Sequence, residues 1–336
     1  MASQKSHMKL YPWLIKPYKE IIQQHQKNKA HHAILINTQR GMGVFKLIWS
    51  ISKWLLCLKP IGIHFCDKCH GCKLMSAKNH PDWHNIIDEK NDIFSIDYIR
   101  IINEKIFKCA QQGKNKVIFL PSIHKFTESA INALLKTLEE PPEKNWFFLV
   151  NYNYLNLPST LKSRCFLYRL SLPTEKDSLK WLKNKNKEEK ISNVIALRIQ
   201  QGSPICANNF INEGLWEERK ILYKFFYKSI KENNLLQILP ILKKSKTIIK
   251  IDWICLLLFD AIKINCNIRK KIINFDQIKL INFISNKYNN VTLNKSIKNW
   301  IKCRYMLSHK TGINSELLLL EKLLFWEKIL NFTVIC

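Results

Sequence analysis

The chain has 336 residues and a mass of 39.8 kDa, more than one hydrophobic core holds and enough for two or three domains. Hydrophobic residues make up 46% and charged residues 24%, a globular balance that excludes a largely disordered polypeptide, and no run of about 18 apolar, uncharged residues offers a membrane span. The net charge of +28 favours contact with nucleic acid, but only eight of the 54 basic residues are Arg, and the abundance of Ile, Asn and Lys matches A/T-rich codons, so codon bias competes as its cause.

Residues 1–7, ahead of Met8, read as a leader or alternative start and are set aside; no apolar core of signal-peptide type follows, so a cytoplasmic protein is expected. Residues 33–36 form a short apolar strand, a loop covers 37–43, and 44–58 read as a helix with Leu47, Ile48, Ile51, Trp54 and Leu55 on one face. A strand at 83–87 and a helix at 96–110 follow, then a strand at 117–120. Thr127 caps a helix over 128–140, which Pro141-Pro142 ends because proline cannot continue it. The longest uncharged run, 145–161, is strand plus loop, with strands at 146–150 and 166–170. Short all-apolar strands separated by helices predict a parallel sheet covered on both faces. Beyond Ser171-Leu172-Pro173 only helical periodicity remains: a small group of helices to about 211, then a longer helical block.

The strand, loop and helix at 33–58 stand where a phosphate-binding loop, G-x-x-x-x-G-K-[ST], would stand. Alignment on Gly43 gives Thr38-Gln39-Arg40-Gly41-Met42-Gly43-Val44-Phe45. Val44 replaces the lysine that reaches the terminal phosphates, Phe45 replaces the hydroxyl that holds Mg²⁺, and Thr38 replaces the first glycine. The strand 117–120 is followed by Pro121-Ser122 where catalytic members carry Asp-Glu. Without these groups the charge of phosphoryl transfer cannot be neutralised. Taken alone, short Gly motifs are weak evidence, and Arg40 to Gly43 reads more readily as a simple turn.

Two further segments decide between these readings. Asn132-Ala133-Leu134-Leu135-Lys136-Thr137-Leu138-Glu139-Glu140-Pro141-Pro142 resembles the long helix motif of the clamp-loader branch of AAA+ ATPases, and Leu161-Lys162-Ser163-Arg164-Cys165 resembles that branch's Ser-Arg-Cys motif. Tyr11-Pro12-Trp13-Leu14, His31-His32-Ala33, Gly41-Met42-Gly43 and the segment Thr311-Gly312-Ile313-Asn314 with Glu316-Leu317-Leu318 extend the likeness to nearly the whole of 8–330. The chain is similar to the bacterial DNA polymerase III clamp-loader family. That resemblance implies a RecA-like AAA+ α/β domain (8–171) with a zinc-binding insertion (57–72), a three-helix lid (172–212) and an all-α collar (213–336) that joins subunits in a ring. It implies a non-hydrolysing stator without ATP of its own, which helps load the sliding clamp onto primed DNA. Its partners would be ATPase subunits of gamma/tau type, a delta-type subunit and, indirectly, the clamp, within a DNA-directed DNA polymerase holoenzyme. Gly202-Ser203-Pro204-Ile205 has Ile where the lid motif of active relatives carries Arg, a further sign of an empty pocket.

Arg164 is the residue expected to carry chemistry. A guanidinium is always charged and presents a planar fork to phosphate oxygens, so it can stabilise charge on the γ-phosphate of a neighbouring subunit. A local salt bridge is the competing reading; Ser163 and Cys165 position the loop and fill a strand end.

Of the 11 cysteines, Cys109, Cys165, Cys206, Cys255, Cys266, Cys303 and Cys336 are scattered and read mostly as buried free thiols. Cys66-x-x-Cys69-x-x-Cys72 supplies three thiols in step, with Cys57 nine positions upstream. His64, His70, His80 and His84 are alternative fourth ligands; the family resemblance favours Cys57. Four thiolates make a closed, structural Zn²⁺ site with no position for water. Trp300, Tyr305, Phe325 and Trp326 read as collar packing with some interface residues, and the lysine-rich stretches 183–190 and 243–250 as solvated faces. Two other functions compete: a catalytically active AAA+ ATPase of the same family, and a zinc-containing nucleic-acid binder that acts alone.

Overall fold

The computed structural model describes residues 10–86, 94–113, 115–152, 157–185, 190–309, 312 and 314–331. The leader 1–7, Ile87, part of the lysine stretch 183–190, Thr311, Ile313 and Cys336 lie outside the described residues. The chain divides into two compact units, Met1–Pro173 and Thr174–Cys336.

In the first unit α1 (Ile15–Gln26), β1 (Ala33–Asn37), α2 (Val44–Leu55), α3 (His70–Ser76), β2 (Trp83–Asn85), α4 (Ile96–Phe107), β3 (Lys116–Leu120), α5 (Glu128–Glu139), β4 (Asn145–Asn151), α6 (Ser159–Arg164) and β5 (Phe166–Arg169) follow one another. The strands form one parallel sheet in the order β2-β3-β4-β1-β5. Alternation sorts the strand side chains between its two faces. Ile34, Ile36, Val117, Phe119, Phe148 and Val150 meet α1 and α2 through residues such as Ile21, Leu47 and Ile51. Leu35, Ile118, Leu120, Phe147 and Leu149 meet α4 and α5 through Ile99, Ile106 and Leu134. The central strands β1, β3 and β4 are covered on both faces, as their apolar runs predict, but the edge strands β2 and β5 are half-buried to exposed because each has a neighbour on one side only.

Three details differ from expectation or sharpen it. Helix α4 stops at Phe107 instead of 110, because Lys108 turns extended and the Lys116 ammonium donates to the carbonyls of Lys105 (2.7 Å) and Ile106 (3.2 Å). A cation at the negative end of a helix satisfies its last carbonyls. Helix α2 ends at Leu55 instead of 58, which frees Cys57 to turn toward the other cysteines. Thr127 does cap α5: its Oγ1 accepts from the Ala130 N–H at 3.2 Å.

His25, at the end of α1, is buried against the edge of Trp146, with ring centroids 4.3 Å apart. Burial lowers its pKa from 6.5 to about 4, so the native state excludes a proton that the unfolded chain accepts. Stability from this residue is complete above pH 6.5 and is lost as pH falls toward 4, by about 3 kcal/mol. Denaturant titrations of the wild type and His25→Phe between pH 4 and 7 should differ by that slope. The comparison is needed because burial also lowers His32, His80, His84 and His124. Equal slopes would show that His25 is not the group responsible.

The second unit is helical throughout its described residues: α7 (Glu175–Lys185), α8 (Lys190–Ile199), α9 (Pro204–Asn212), α10 (Leu215–Lys231), α11 (Leu239–Lys243), α12 (Thr247–Asn265), α13 (Ile278–Lys287), α14 (Asn290–His309) and α15 (Ser315–Asn331), with short 3₁₀ turns between some of them. Its buried residues form one cluster from Leu182 to Leu330. Trp300 and Trp326 are fully buried there, edge to face at 5.2 Å, whereas Tyr305 and Phe325 are more than half exposed. Lys250 corrects the expectation of a solvated face over 243–250. It is buried, and its Nζ donates to the Ile241 carbonyl at 2.9 Å, 3.5 Å from the Glu218 carboxylate. Cys165, Cys255 and Cys303 are buried as expected, but Cys109 and Cys266 are exposed, since each follows the end of a helix.

Candidate functional site

In an open parallel sheet, ligands bind at the carboxyl ends of the strands, and the degenerate phosphate loop lies at that end of β1. Its backbone keeps the expected turns: Gly41 and Gly43 have φ of 76° and 77°, a left-handed conformation that glycine adopts without strain. Gly43 is the N-cap of α2, and its carbonyl accepts from Lys46 and Leu47.

The side chains have changed their allegiance. Thr38 is fully buried, with its N–H on the Asn151 carbonyl at 3.1 Å. The Met42 carbonyl accepts the indole N–H of Trp13 at 2.9 Å. Val44, in the place of the phosphate-binding lysine, is buried in the core shared by α1, α2 and the sheet. Phe45, in the place of the Mg²⁺ ligand, lies among the rings of Trp49, Phe119 and Trp83 at 6.0 to 6.5 Å. At the end of β3, Pro121 and Ser122 supply no carboxylate. Two left-handed glycines thus lead into α2, and hydrocarbon stands at the Val44 and Phe45 positions.

Arg164 is the last residue of α6. Its side chain is 32% exposed and forms an ion pair with Glu139, the last residue of α5. Nε donates to Glu139 Oε1 at 2.6 Å and Nη2 to the same oxygen, while Nη1 donates to the Thr160 carbonyl at 3.0 Å and Ser163 Oγ at 3.3 Å. The guanidinium is therefore held in place by two helix ends. Cys165 is buried on the face of the sheet that meets α4 and α5; burial pushes its thiol up to about 12, which makes it inert filler.

The four cysteines come together. Cys57 follows α2, Cys66 follows a small antiparallel bridge between Ile61 and His64, Cys69 caps α3 and Cys72 lies in its first turn. All four Sγ atoms lie within 4.8 Å of one another; Cys57 is 3.5 Å from Cys66 and 3.9 Å from Cys69, and Cys66 is 4.0 Å from Cys72. Tetrahedral zinc with Zn–S bonds of about 2.3 Å requires sulfur separations of about 3.8 Å, so the arrangement fits. Backbone N–H groups of Cys66, Cys69 and Cys72 donate to the sulfurs of Cys57, Cys66 and Cys69 at 3.3 to 3.4 Å. Burial works to raise the Cys66 thiol, but donors from Lys68 and Cys69 outweigh it and bring it down to about 6. Burial raises Cys57 and Cys72, so four adjacent thiolates need a cation between them. Among the described residues no histidine joins the cluster, which leaves His64, His70, His80 and His84 outside it.

The module is fastened to the α/β unit around it. Tyr18 O–H donates to the Ile63 carbonyl (2.8 Å) and the Trp54 indole to the Gly62 carbonyl (3.0 Å). Lys53 pairs with Asp67 at 2.6 Å. Gly71 is obligatory, because a Cβ there would stand 2.4 Å from the Leu56 carbonyl oxygen.

Sequence reasoning did not find Glu139 as the partner of Arg164, although the residue stands within the long helix motif. Its charge, next to Glu140 at a helix C-terminus where carboxylates are disfavoured, was the available signal.

The family model described as "DNA polymerase III, delta subunit" matches residues 15–174, and that described as "DNA polymerase III, delta subunit, C terminal" matches 213–328. DNA polymerase III subunit delta' of Buchnera aphidicola subsp. Schizaphis graminum (strain Sg) is 73% identical over 325 residues, 97% of this chain and 99% of that protein. The subunits delta' from the Acyrthosiphon pisum (strain APS) and Baizongia pistaciae (strain Bp) subspecies are 61% and 39% identical, over 97% and 96% of this chain and 100% and 99% of theirs. With the parallel α/β unit, the helical second unit and the four-cysteine cluster already in place, these matches agree with the resemblance carried by the helix and Ser-Arg-Cys motifs: the chain belongs to the DNA polymerase III subunit delta' family.

Proposed function

We propose that this subunit is the non-hydrolysing stator of the bacterial replicative clamp loader. The observation that carries the reading is the degenerate loop: Val44 in the core and Phe45 in an aromatic cluster remove the cation and the metal ligand that phosphoryl transfer needs. The subunit contributes Arg164 to the ATP pocket of an adjacent ATPase subunit of gamma/tau type. It works in the cytoplasm beside a delta-type subunit, and acts on the sliding clamp and primed DNA through the assembled complex. Within the chain, the α/β unit presents Arg164, helices over 172–212 form the lid, and 213–336 form the collar that joins the ring. The lysine-rich surface takes no assigned DNA contact in this reading.

Cys57, Cys66, Cys69 and Cys72 hold one structural Zn²⁺, which supplies a crosslink between α2 and α3 and no chemistry. Metal analysis of the purified chain is expected to give one zinc per polypeptide, and Cys66→Ser to lower that ratio. A fully folded, metal-free protein with four free thiols would contradict the assignment.

The experiment for the stator reading is reconstitution with the ATPase and delta-type subunits. Co-purification in one complex, with DNA-stimulated ATP turnover and clamp placement that require this chain, is the expected result. A chain that fails to join, or a complex equally active without it, would refute the reading.

A further inference from the structure

We propose that Glu139 is the positioning residue for Arg164, an inference that rests on the reading of Arg164 as a trans-acting finger. Three observations converge on it. Nε and Nη2 of Arg164 both donate to Glu139 Oε1, and Nη1 is held by the Thr160 carbonyl and Ser163 Oγ, so the guanidinium plane is set before any neighbour arrives. The carboxylate itself sits on a fixed support: the Leu138 carbonyl, one residue earlier, is 2.9 Å from His32 Nε2, and Thr137 Oγ1 donates to Asn103 Oδ1 at 3.0 Å. Finally, a carboxylate at the negative end of α5 gains nothing from the helix dipole, so helix stability does not account for its presence there.

The strength of the contact suits a preset that must be given up. Both side chains are partly exposed, 32% for Arg164 and 47% for Glu139, and ion pairs in such settings hold weakly in water. A polyphosphate of the neighbouring subunit, with several charges and oxygens placed for bidentate contact, outcompetes a single carboxylate for the guanidinium. Until that exchange, Glu139 keeps a long side chain in one orientation. A free arginine would lose that freedom on reaching the phosphate, at a cost of about two- to tenfold in rate. Glu139 touches no nucleotide and acts only through Arg164.

The test is a double-mutant cycle in the reconstituted complex with saturating clamp and primed DNA, reading the ATP turnover that depends on this subunit. Glu139→Ala is expected to lower kcat about two- to tenfold with KM for ATP little changed. Glu139→Gln keeps an acceptor oxygen at the same reach and should recover most of that loss. In an Arg164→Ala background, Glu139→Ala should have no further effect, and thermal melts of the isolated variants should match the wild type. Wild-type turnover by Glu139→Ala beside collapsed turnover by Arg164→Ala would overturn the positioning role and leave the finger intact. Faster turnover would show that Glu139 restrains Arg164, and an equal loss in the Arg164→Ala background would show that it acts through the fold; either outcome rejects the proposal. Unchanged turnover by Arg164→Ala itself would remove the finger reading, and this inference with it.

Discussion

Arg164→Ala is expected to reduce hydrolysis in the neighbouring pocket by about 10³-fold or more, the range in which arginine fingers act on phosphoryl transfer. The loss follows from the role proposed for Arg164, since its charge is needed only as negative charge builds on the γ-phosphate oxygens. The isolated subunit should be unaffected. The Arg164–Glu139 pair is partly exposed, and such pairs contribute about 0–1 kcal/mol to stability. Arg164→Lys separates charge from shape: it retains the positive charge but loses the planar fork, so it should recover only a small part of the activity. The readout is the subunit-dependent phase of single-turnover ATP hydrolysis, together with clamp placement on primed DNA. Full activity in the alanine variant, with the complex assembled, would remove Arg164 from the mechanism.

The largest expected effect on stability comes from the second unit. Arg219 on α10 is fully buried between the rings of Trp216 and Tyr223, 5.0 and 4.7 Å from its guanidinium carbon. It donates to both oxygens of Asp276 at 2.8 and 2.9 Å and to Asn274 Oδ1 at 2.7 Å. Asn274 is anchored in turn by its N–H and amide on the Asp260 carboxylate, so α10, α12 and the 272–277 segment share one network. Arg219→Met keeps the hydrophobic stem but strands a largely buried carboxylate. Breaking such a pair costs about 3–5 kcal/mol, measurable as a fall in the denaturant midpoint of the second unit. Burial alone would raise Asp276, but the Arg219 hydrogen bonds and charge overcome it and hold the carboxyl below its ordinary value. The pair therefore stabilises the fold above the usual carboxylate range, about pH 4, and loses that contribution as pH falls through the lowered native pKa. In Arg219→Met burial is opposed only by the Gln277 amide, 3.0 Å from the carboxylate, and a backbone N–H, so acid sensitivity should begin at higher pH. A variant with an unchanged midpoint and acid profile would mean that the network is incidental.

Much of the first unit was legible in its pattern. The apolar runs of β1, β3 and β4 became central parallel strands because residues buried on both faces leave no alternation to disguise, while the edge strands β2 and β5 are only partly covered. Pro141-Pro142 and Thr127 bracketed α5 because proline lacks an N–H and a threonine hydroxyl supplies an acceptor. The cysteine spacing identified the cluster because three thiols in step on one turn-and-helix segment can converge on a single point. The missed features depend on contacts distant in sequence. In a chain with 46 lysines, nothing local distinguishes Lys116 and Lys250, buried on backbone carbonyls, from lysines in water. Arg219 finds Asp276 57 residues away and Arg164 finds Glu139 25 residues away, pairings that only the packed helices create. Both helix ends that fell short of expectation stopped where a side chain is engaged elsewhere. The Lys116 ammonium takes the last carbonyls of α4, and Cys57 joins the four-cysteine cluster beyond α2.

The central claim is that this subunit has lost its own nucleotide chemistry and serves a neighbour's. Equilibrium binding of labelled ATP and Mg²⁺ to the purified, zinc-loaded chain, with hydrolysis followed in the same sample, tests it most directly. The account predicts no turnover above background by the isolated chain, and turnover that requires an ATPase partner. Mg²⁺-dependent hydrolysis by this polypeptide alone would contradict it.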